Sequence, residues 1–102
     1  MDNLDEIMST PGLDAIYVGP ADLSISLGHP PSGDPTITEV LDAFDTILAA
    51  AKRNGVVAGS HTSGGDMAAR MFEKGFQFCT LANDSRLLAM KAAEEIAAAR
   101  GK

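Results

Sequence analysis

One pattern constrains the fold of this chain more than any other: a short apolar segment, a polar loop and a helix-period segment follow one another three times. The apolar segments are AIYVG at 15–19, VVAGS at 56–60 and FQFCTL at 76–81. They lack the alternation of a half-solvated strand, so we expect strands that are buried on both faces. The order βαβαβα with right-handed crossovers predicts an α/β fold with a three-stranded parallel sheet covered by helices.

Apolar residues at steps of three and four predict the helices between these strands. The clearest runs over 37–51, with Thr36 and Glu39 spaced as a capping box before it and Gly55 suited to its C-terminal cap. A weaker opening helix is indicated by Leu4, Ile7 and Met8, which share one face before TPG ends it. The other helices are predicted at about 65–74, after a cap at Ser63 and ending at Gly75, with Met67, Ala68, Met71 and Phe72 buried, and at about 85–100, after a cap at Asn83 or Asp84.

Length and charge limit the classes of protein that remain. At 102 residues the chain fits a single domain, 1–102. Eight basic and fourteen acidic residues give a net charge of −6, which repels phosphate backbones and anionic membrane surfaces, so neither nucleic acid nor membrane is expected as a partner. The chain has no apolar stretch of membrane-spanning length and starts with the acidic MDNLDEIM, so we expect a cytoplasmic protein. Cys79, the one cysteine, is expected to be buried and unreactive.

In a parallel α/β fold the functional loops follow the carboxyl ends of the strands. Here those loops are GPADLSISLG, SHTSGG and ANDSRL. Gly19 and Pro20 allow a tight turn that presents the amides of Ala21 and Asp22, where a small carboxylate could bind. The Asp22 side chain could then reach a divalent cation shared with that ligand. The structural alternative for Asp22 is an Asx-turn or a helix N-cap.

Histidine supplies two further candidates. His61 directly follows the second strand and could line the same rim, or it could have a purely structural role. His29, in the loop GHPPSGDP at 28–35, is a weaker candidate. The sequence SGG at 63–65 resembles an anion-binding turn but is neither a GxGxxG motif nor a P-loop. The sequence contains no zinc-spaced Cys/His cluster and no nucleophile elbow.

These segments resemble the HpcH/HpaI aldolase family, the metal-dependent class II pyruvate aldolases. PGLDAIYVGPADLSISLG is similar to the sixth strand and loop of the family's (β/α)8 barrel, VVAGSHTSG to the seventh, and KGFQFCTLANDSRLL to the eighth. The first motif is specific, and the other two support it. The resemblance covers essentially the whole chain and implies a partial (β/α)8 TIM barrel of about three parallel β/α units, strands 6 to 8.

Carried over residue by residue, the resemblance implies that Asp22 is a metal ligand. It implies that Gly19, Pro20, Ala21 and Asp22 bind the carboxylate of a 2-oxo acid such as pyruvate, and that His61 lines the substrate pocket. The implied cofactor is a divalent metal, Mg²⁺ or Mn²⁺, chelated by the 2-oxo acid and acting as a Lewis acid. The family's second metal ligand, a glutamate, its general-base histidine and an arginine lie on earlier strands. We therefore expect no catalytic residue in this chain, which is either a fragment or a small protein that must assemble.

The leading function is that of a metal-dependent aldolase, a C–C lyase acting on 2-oxo acids, with the chain inactive or incomplete by itself. The alternatives are a non-catalytic α/β assembly or binding module and a CoA-ester lyase of the citrate-lyase group, which the GPADLS loop fits less well. Because a three-stranded sheet has two open edges, we expect a homo-oligomer. Family members exchange their eighth helix between barrels, so the last helix is the expected assembly element. The apolar surface is expected at Val56, Val57, Phe76 and Phe78.

Overall fold

The computed structural model describes residues 3–101 and contains one parallel sheet with helices along the chain. The sheet order is β1-β2-β3 and both neighbouring pairs are parallel, so β1 and β3 are the edges and all three strands end at the same rim. This confirms the predicted α/β class. The elements are α1 (Leu4–Met8), β1 (Ala15–Val18), α2 (Pro20–Ser26), α3 (Thr38–Arg53), β2 (Val57–Thr62), α4 (Gly65–Lys74), β3 (Phe78–Leu81) and α5 (Asp84–Ala99).

Within residues 3–101 the sheet is covered on one face only. On the covered face, Val18 and Ala58 are buried in the same cluster as side chains from α1, α3 and α4. On the opposite face, Tyr17 is 51% and Phe78 38% exposed. The prediction of strands buried on both faces is therefore wrong for these residues, because the helices pack against a single side of the sheet. We call the uncovered side the helix-free face.

The centre of the core is supplied by α3. Phe44 is completely buried and meets Phe76 edge to face, with ring centroids 6.1 Å apart. Burial of a side chain of this size contributes about 1.5–3 kcal/mol. The helix begins after Ile37, whose backbone is extended, without a side-chain cap, so the predicted capping box at Thr36 and Glu39 is not formed.

The C-terminal end of α3 determines where β2 begins. Gly55 has φ 66°, its N–H donates to the carbonyl of Lys52, and the N–H of Val56 donates to the carbonyl of Ala51. These two bonds define a Schellman motif, which commonly places an apolar residue after its glycine against the helix. The same motif ends α4. There the N–H of Gly75 donates to the carbonyl of Phe72, and the N–H of Phe76 donates to the carbonyl of Met71.

Both apolar residues that follow these glycines are core residues. Val56 is 7% and Phe76 2% exposed, so the prediction that they carry exposed apolar surface is wrong. The reason is that each still belongs to the end of a helix rather than to a strand. The prediction is confirmed for Val57 and Phe78, which start β2 and β3 and are exposed.

The last two helices differ in how they pack. The N-terminal end of α4 follows Gly64 without a side-chain cap, so Ser63 does not cap it. Met67, Ala68 and Met71 are buried as predicted, whereas Phe72 is half exposed.

The side chain of Asn83 caps α5, as predicted, by accepting a hydrogen bond from the Arg86 N–H at 2.7 Å. No residue of α5 is buried, and its apolar side chains lie on more than one side. Among the described helices, none has the length and apolar character to cross a membrane.

Candidate functional site at the carboxyl ends of the strands

The segment after β1 is a short helix and not the irregular loop that its polar composition suggests. Gly19 is the N-cap of α2 and Pro20 occupies the first helical position, where a missing N–H costs nothing. The first intrahelical bond runs from the Leu23 N–H to the Gly19 carbonyl at 2.9 Å. The amides of Ala21 and Asp22 precede this bond and therefore have no acceptor inside the helix.

Asp22 is the third residue of α2, so it is not a helix N-cap, which was one of the two structural alternatives. Its side chain is exposed and folds back over Gly19: a Cβ placed on that glycine would lie 3.1 Å from Asp22 Oδ2. A carboxylate in the first turn also interacts favourably with the helix dipole. The carboxylate and the two first-turn amides thus share the start of one helix, directly beyond the end of β1.

His61 lies at the same level of the sheet as this turn. Val18 is paired with Ser60 in the parallel register. Gly19 and His61 each follow a member of this pair by one residue, so both lie close to the rim. His61 is the next-to-last residue of β2 and does not follow the strand as predicted, because β2 extends to Thr62. The structure therefore brings the turn after β1 and the imidazole of β2 to neighbouring strand ends.

Hydrogen bonds link three side chains across the helix-free face. Thr80 Oγ1 lies 2.9 Å from His61 Nδ1 and is also hydrogen-bonded to the hydroxyl of Tyr17. The Tyr17 ring stacks on Phe78, with centroids 6.0 Å apart and an interplanar angle of 7°. Phe78 in turn covers Gly59, where a Cβ would overlap its ring.

Sequence reasoning found His61 but missed Tyr17 and Thr80. The available signal was the strand register: Tyr17 is level with Gly59, and His61 is level with Thr80. Since side chains alternate between faces, these residues all fall on the same side of the sheet. The other histidine, His29, is not in this group, and its Nε2 lies 3.5 Å from Glu39 Oε2.

The thiol of Cys79 is half-buried, and not fully buried as was predicted, because β3 is an edge strand. It packs partly against the core cluster, and this burial raises its pKa above the ordinary range for cysteine. A hydrogen bond with the Ser60 backbone acts in the opposite direction, and burial has the larger effect. At neutral pH the thiolate, which is the nucleophilic form, is therefore scarce.

At the start of α2, Asp22 supplies a ligand suited to a hard cation. Asp22 offers an exposed carboxylate, a donor that Mg²⁺ and Mn²⁺ accept. Within residues 3–101, no three side chains of His, Cys, Asp or Glu are grouped so as to hold a metal ion. Asp22 also lines an open groove of about 460 Å³ that is bounded by α1, β1 and α2. The donor chemistry thus fits part of a metal shell and leaves the groove side of Asp22 open.

A parallel sheet that gathers its polar loops at one rim, with helices on one face, is the architecture of part of a (β/α)8-barrel protein. Over residues 1–92 the chain matches the HpcH/HpaI aldolase/citrate lyase family, and it belongs to that family. The predicted family and the partial-barrel fold class are both confirmed.

Known enzymes align with nearly the whole chain. The hydroxypyruvate/pyruvate aldolase of Rhizorhabdus wittichii is 39% identical over 102 residues, covering 96% of this chain and 39% of the relative. The 4-hydroxy-2-oxo-heptane-1,7-dioate aldolase of Escherichia coli is 35% identical over 101 residues, covering 99% of this chain and 37% of the relative. The chain thus spans about two fifths of the length of these relatives.

Solved structures agree with the sequence relationship. A HpcH/HpaI aldolase/citrate lyase family protein from Burkholderia cenocepacia superimposes with a TM-score of 0.90 at 34% identity, over 97% of this chain and 38% of that protein. The HpcH/HpaI aldolase of Desulfitobacterium hafniense gives a TM-score of 0.86 at 28% identity, over 97% of this chain and 38% of that protein.

Proposed function

We propose that this chain forms the carboxyl-terminal part of the active site of a metal-dependent aldolase, a C–C lyase that acts on pyruvate or a related 2-oxo acid. The observation that carries the proposal is the start of α2. There an exposed carboxylate, Asp22, and two amides without intrahelical acceptors lie together at the rim of a sheet in an HpcH/HpaI family member. The names of the two related aldolases indicate the same class of substrate.

In the proposed site, the amides of Ala21 and Asp22 donate hydrogen bonds to the carboxylate of the 2-oxo acid. Backbone N–H groups at a helix start favour an anion both through these bonds and through the helix dipole. Gly19 and Pro20 shape the turn, and the atoms nearest to a Cβ placed on Gly19 all belong to Asp22. His61, at the next strand end, lines the pocket.

Asp22 would hold a divalent cation, Mg²⁺ or Mn²⁺, together with oxygens of the substrate. Such an ion, when bound, would supply Lewis-acid polarisation of the 2-oxo group. Because Asp22 is the single carboxylate at this turn, the site needs further protein ligands and a general base in addition to this turn. The open groove beside Asp22 and the free edge of β1 are where such groups would approach. We therefore expect the isolated chain to bind substrate weakly and not to turn it over.

We further propose that the chain acts as a homo-oligomer. The helix-free face and the two sheet edges leave apolar surface exposed, and α5 buries nothing within residues 3–101. Contact with a neighbouring copy through α5 would bury Leu87, Leu88, Met90 and Ile96, each at least half exposed.

The aldolase proposal predicts that metal and substrate bind cooperatively through Asp22. Calorimetry would compare Mn²⁺ titrations with and without pyruvate for the wild-type chain, Asp22→Ala and the control Asp66→Ala. Asp66 is likewise an exposed carboxylate in the first turn of a helix, α4. Wild type and the control should bind Mn²⁺ more tightly when pyruvate is present, since pyruvate adds two oxygens to the metal shell, and Asp22→Ala should abolish this gain.

Equal, negligible heats for all three proteins would contradict the proposal and favour the non-catalytic assembly or binding module. Circular dichroism of Asp22→Ala should remain like that of the wild type, because the side chain is exposed. A gain produced by a CoA ester instead of pyruvate would favour the third candidate, a CoA-ester lyase of the citrate-lyase group.

A further inference from the structure

The hydrogen-bonded side chains Tyr17, Thr80 and His61 form a chain that crosses all three strands. The Tyr17 hydroxyl meets Thr80 Oγ1 across the width of β2, which is possible because Gly59 presents no side chain between them. Stacking on Phe78 holds the Tyr17 ring in this direction. The chain ends at His61 Nδ1, 2.9 Å from Thr80 Oγ1.

Such a chain has a direction, because each hydroxyl carries a single hydrogen. If Tyr17 donates to Thr80, then Thr80 donates to His61 Nδ1, and the imidazole proton must be on Nε2. If His61 donates from Nδ1, Thr80 Oγ1 must accept, and Thr80 then either donates to Tyr17 or accepts from both neighbours and has no acceptor in the chain for its own hydrogen. A phenol is more acidic than an aliphatic hydroxyl, and a neutral imidazole nitrogen is a better acceptor than a phenol oxygen. The direction from Tyr17 to His61 is therefore the stable one, and hydrogen bonds aligned in this way polarise one another.

We propose that Tyr17 and Thr80 are positioning residues that fix His61 as a hydrogen-bond donor at Nε2, directed to a carbonyl or hydroxyl oxygen of the bound substrate. The proposal rests on the proposed function for the placement of His61 beside the substrate. It assigns Tyr17 and Thr80 a role that packing does not require, since both are exposed on the helix-free face. It also limits the group recognised to a hydrogen-bond acceptor, because Nε2–H cannot accept a hydrogen bond, and the acceptors of a 2-oxo acid are oxygens.

The test is the tautomer of His61, read from the ring nitrogen signals of the histidine-labelled chain by NMR. At pH about 8 an ordinary imidazole is neutral, so its tautomer can be observed. Wild type should show one His61 species with the proton on Nε2. Thr80→Val keeps the strand-compatible shape but removes both bonds, and Tyr17→Phe keeps the ring stack but removes the donor. Both variants should show a several-fold larger fraction of the Nδ1–H form.

Two controls isolate the effect. His29 supplies a second set of ring signals in the same spectrum, and these should not change in either variant. Thr36→Val removes an exposed threonine hydroxyl elsewhere and should leave His61 as in the wild type. A wild-type His61 protonated on Nδ1 would overturn the proposal, as would variants whose ring signals equal those of the wild type.

The donor role has its own readout. Mg²⁺ and pyruvate are added at concentrations that saturate the Asp22-dependent binding, and the His61 Nε2 signal should then shift in wild type and less in Thr80→Val. An unchanged signal at saturation would refute donation to the substrate. If no Asp22-dependent binding occurs, the proposed function fails by itself, and the tautomer spectra still decide whether Tyr17 and Thr80 set the state of His61.

Discussion

Replacing Phe44 by alanine tests whether the core lies between the helices and one face of the sheet. Phe44 is 0% exposed and packs edge to face on Phe76, so Phe44→Ala loses the transfer free energy of the ring and leaves a cavity. Changes of this kind cost about 3–5 kcal/mol. Domains of this size have about 5–15 kcal/mol in total, so the variant should lose much of its stability.

The matched control is Phe72→Ala on α4. Phe72 is 51% exposed, so about half of the transfer value of 1.5–3 kcal/mol applies, and no cavity forms. We expect a loss of about 1 kcal/mol, several times less than for Phe44. Urea unfolding followed by circular dichroism measures both, and the Phe44 midpoint should fall by at least about 1 M for an ordinary dependence on urea. Equal midpoint shifts in the two variants would refute the described packing.

Three further results are expected. Light scattering should report a dimer or larger species for the whole chain, and a monodisperse monomer would contradict the proposed assembly. Truncation after Asn83 should reduce both the mass of the assembly and its melting temperature, although no residue of α5 is buried in its own chain. An unchanged mass and melting temperature would exclude α5 as the assembly element. Hydrogen bonds from Arg53 and Asn54 lower the pKa of Asp5, so this contact should stabilise the fold above the ordinary aspartate pKa and be lost as the pH falls through the lowered value. The urea midpoint of Asp5→Asn should therefore lack that part of the acid dependence.

Local patterns predicted the element order well. The helix α3, the glycine ends at Gly55 and Gly75 and the Asn83 cap all follow from signals within a few residues. The helix α2 was not predicted, because its seven residues include two serines and an aspartate, and these residue types are typical of loops. Proline at its first position and an acid in its first turn were the signals that could have revealed it.

Long-range features were harder to predict. The burial of a strand depends on which elements cover each face of the sheet. An apolar run such as FQFCTL does not indicate whether helices pack on one face or on both. Val56 and Phe76 were misplaced because helix ends and strand starts adjoin without a loop. The link from Tyr17 to Thr80 depends on the register of three strands and on Gly59 between them, which no local pattern contains.

The unburied helix α5 also changes how the molecule moves through solution. The radius of gyration is 16.2 Å, and the principal extents are 55 × 27 × 22 Å. A compact chain of about 100 residues has a radius of gyration of about 13 Å. An elongated particle diffuses more slowly than a sphere of equal mass, so a single copy of this chain would leave a gel-filtration column early, at the volume of a larger compact protein. The elution volume of a monomer would therefore suggest a dimer or larger species. If α5 docks against a neighbouring copy, the assembly would be more compact for its mass than a single copy.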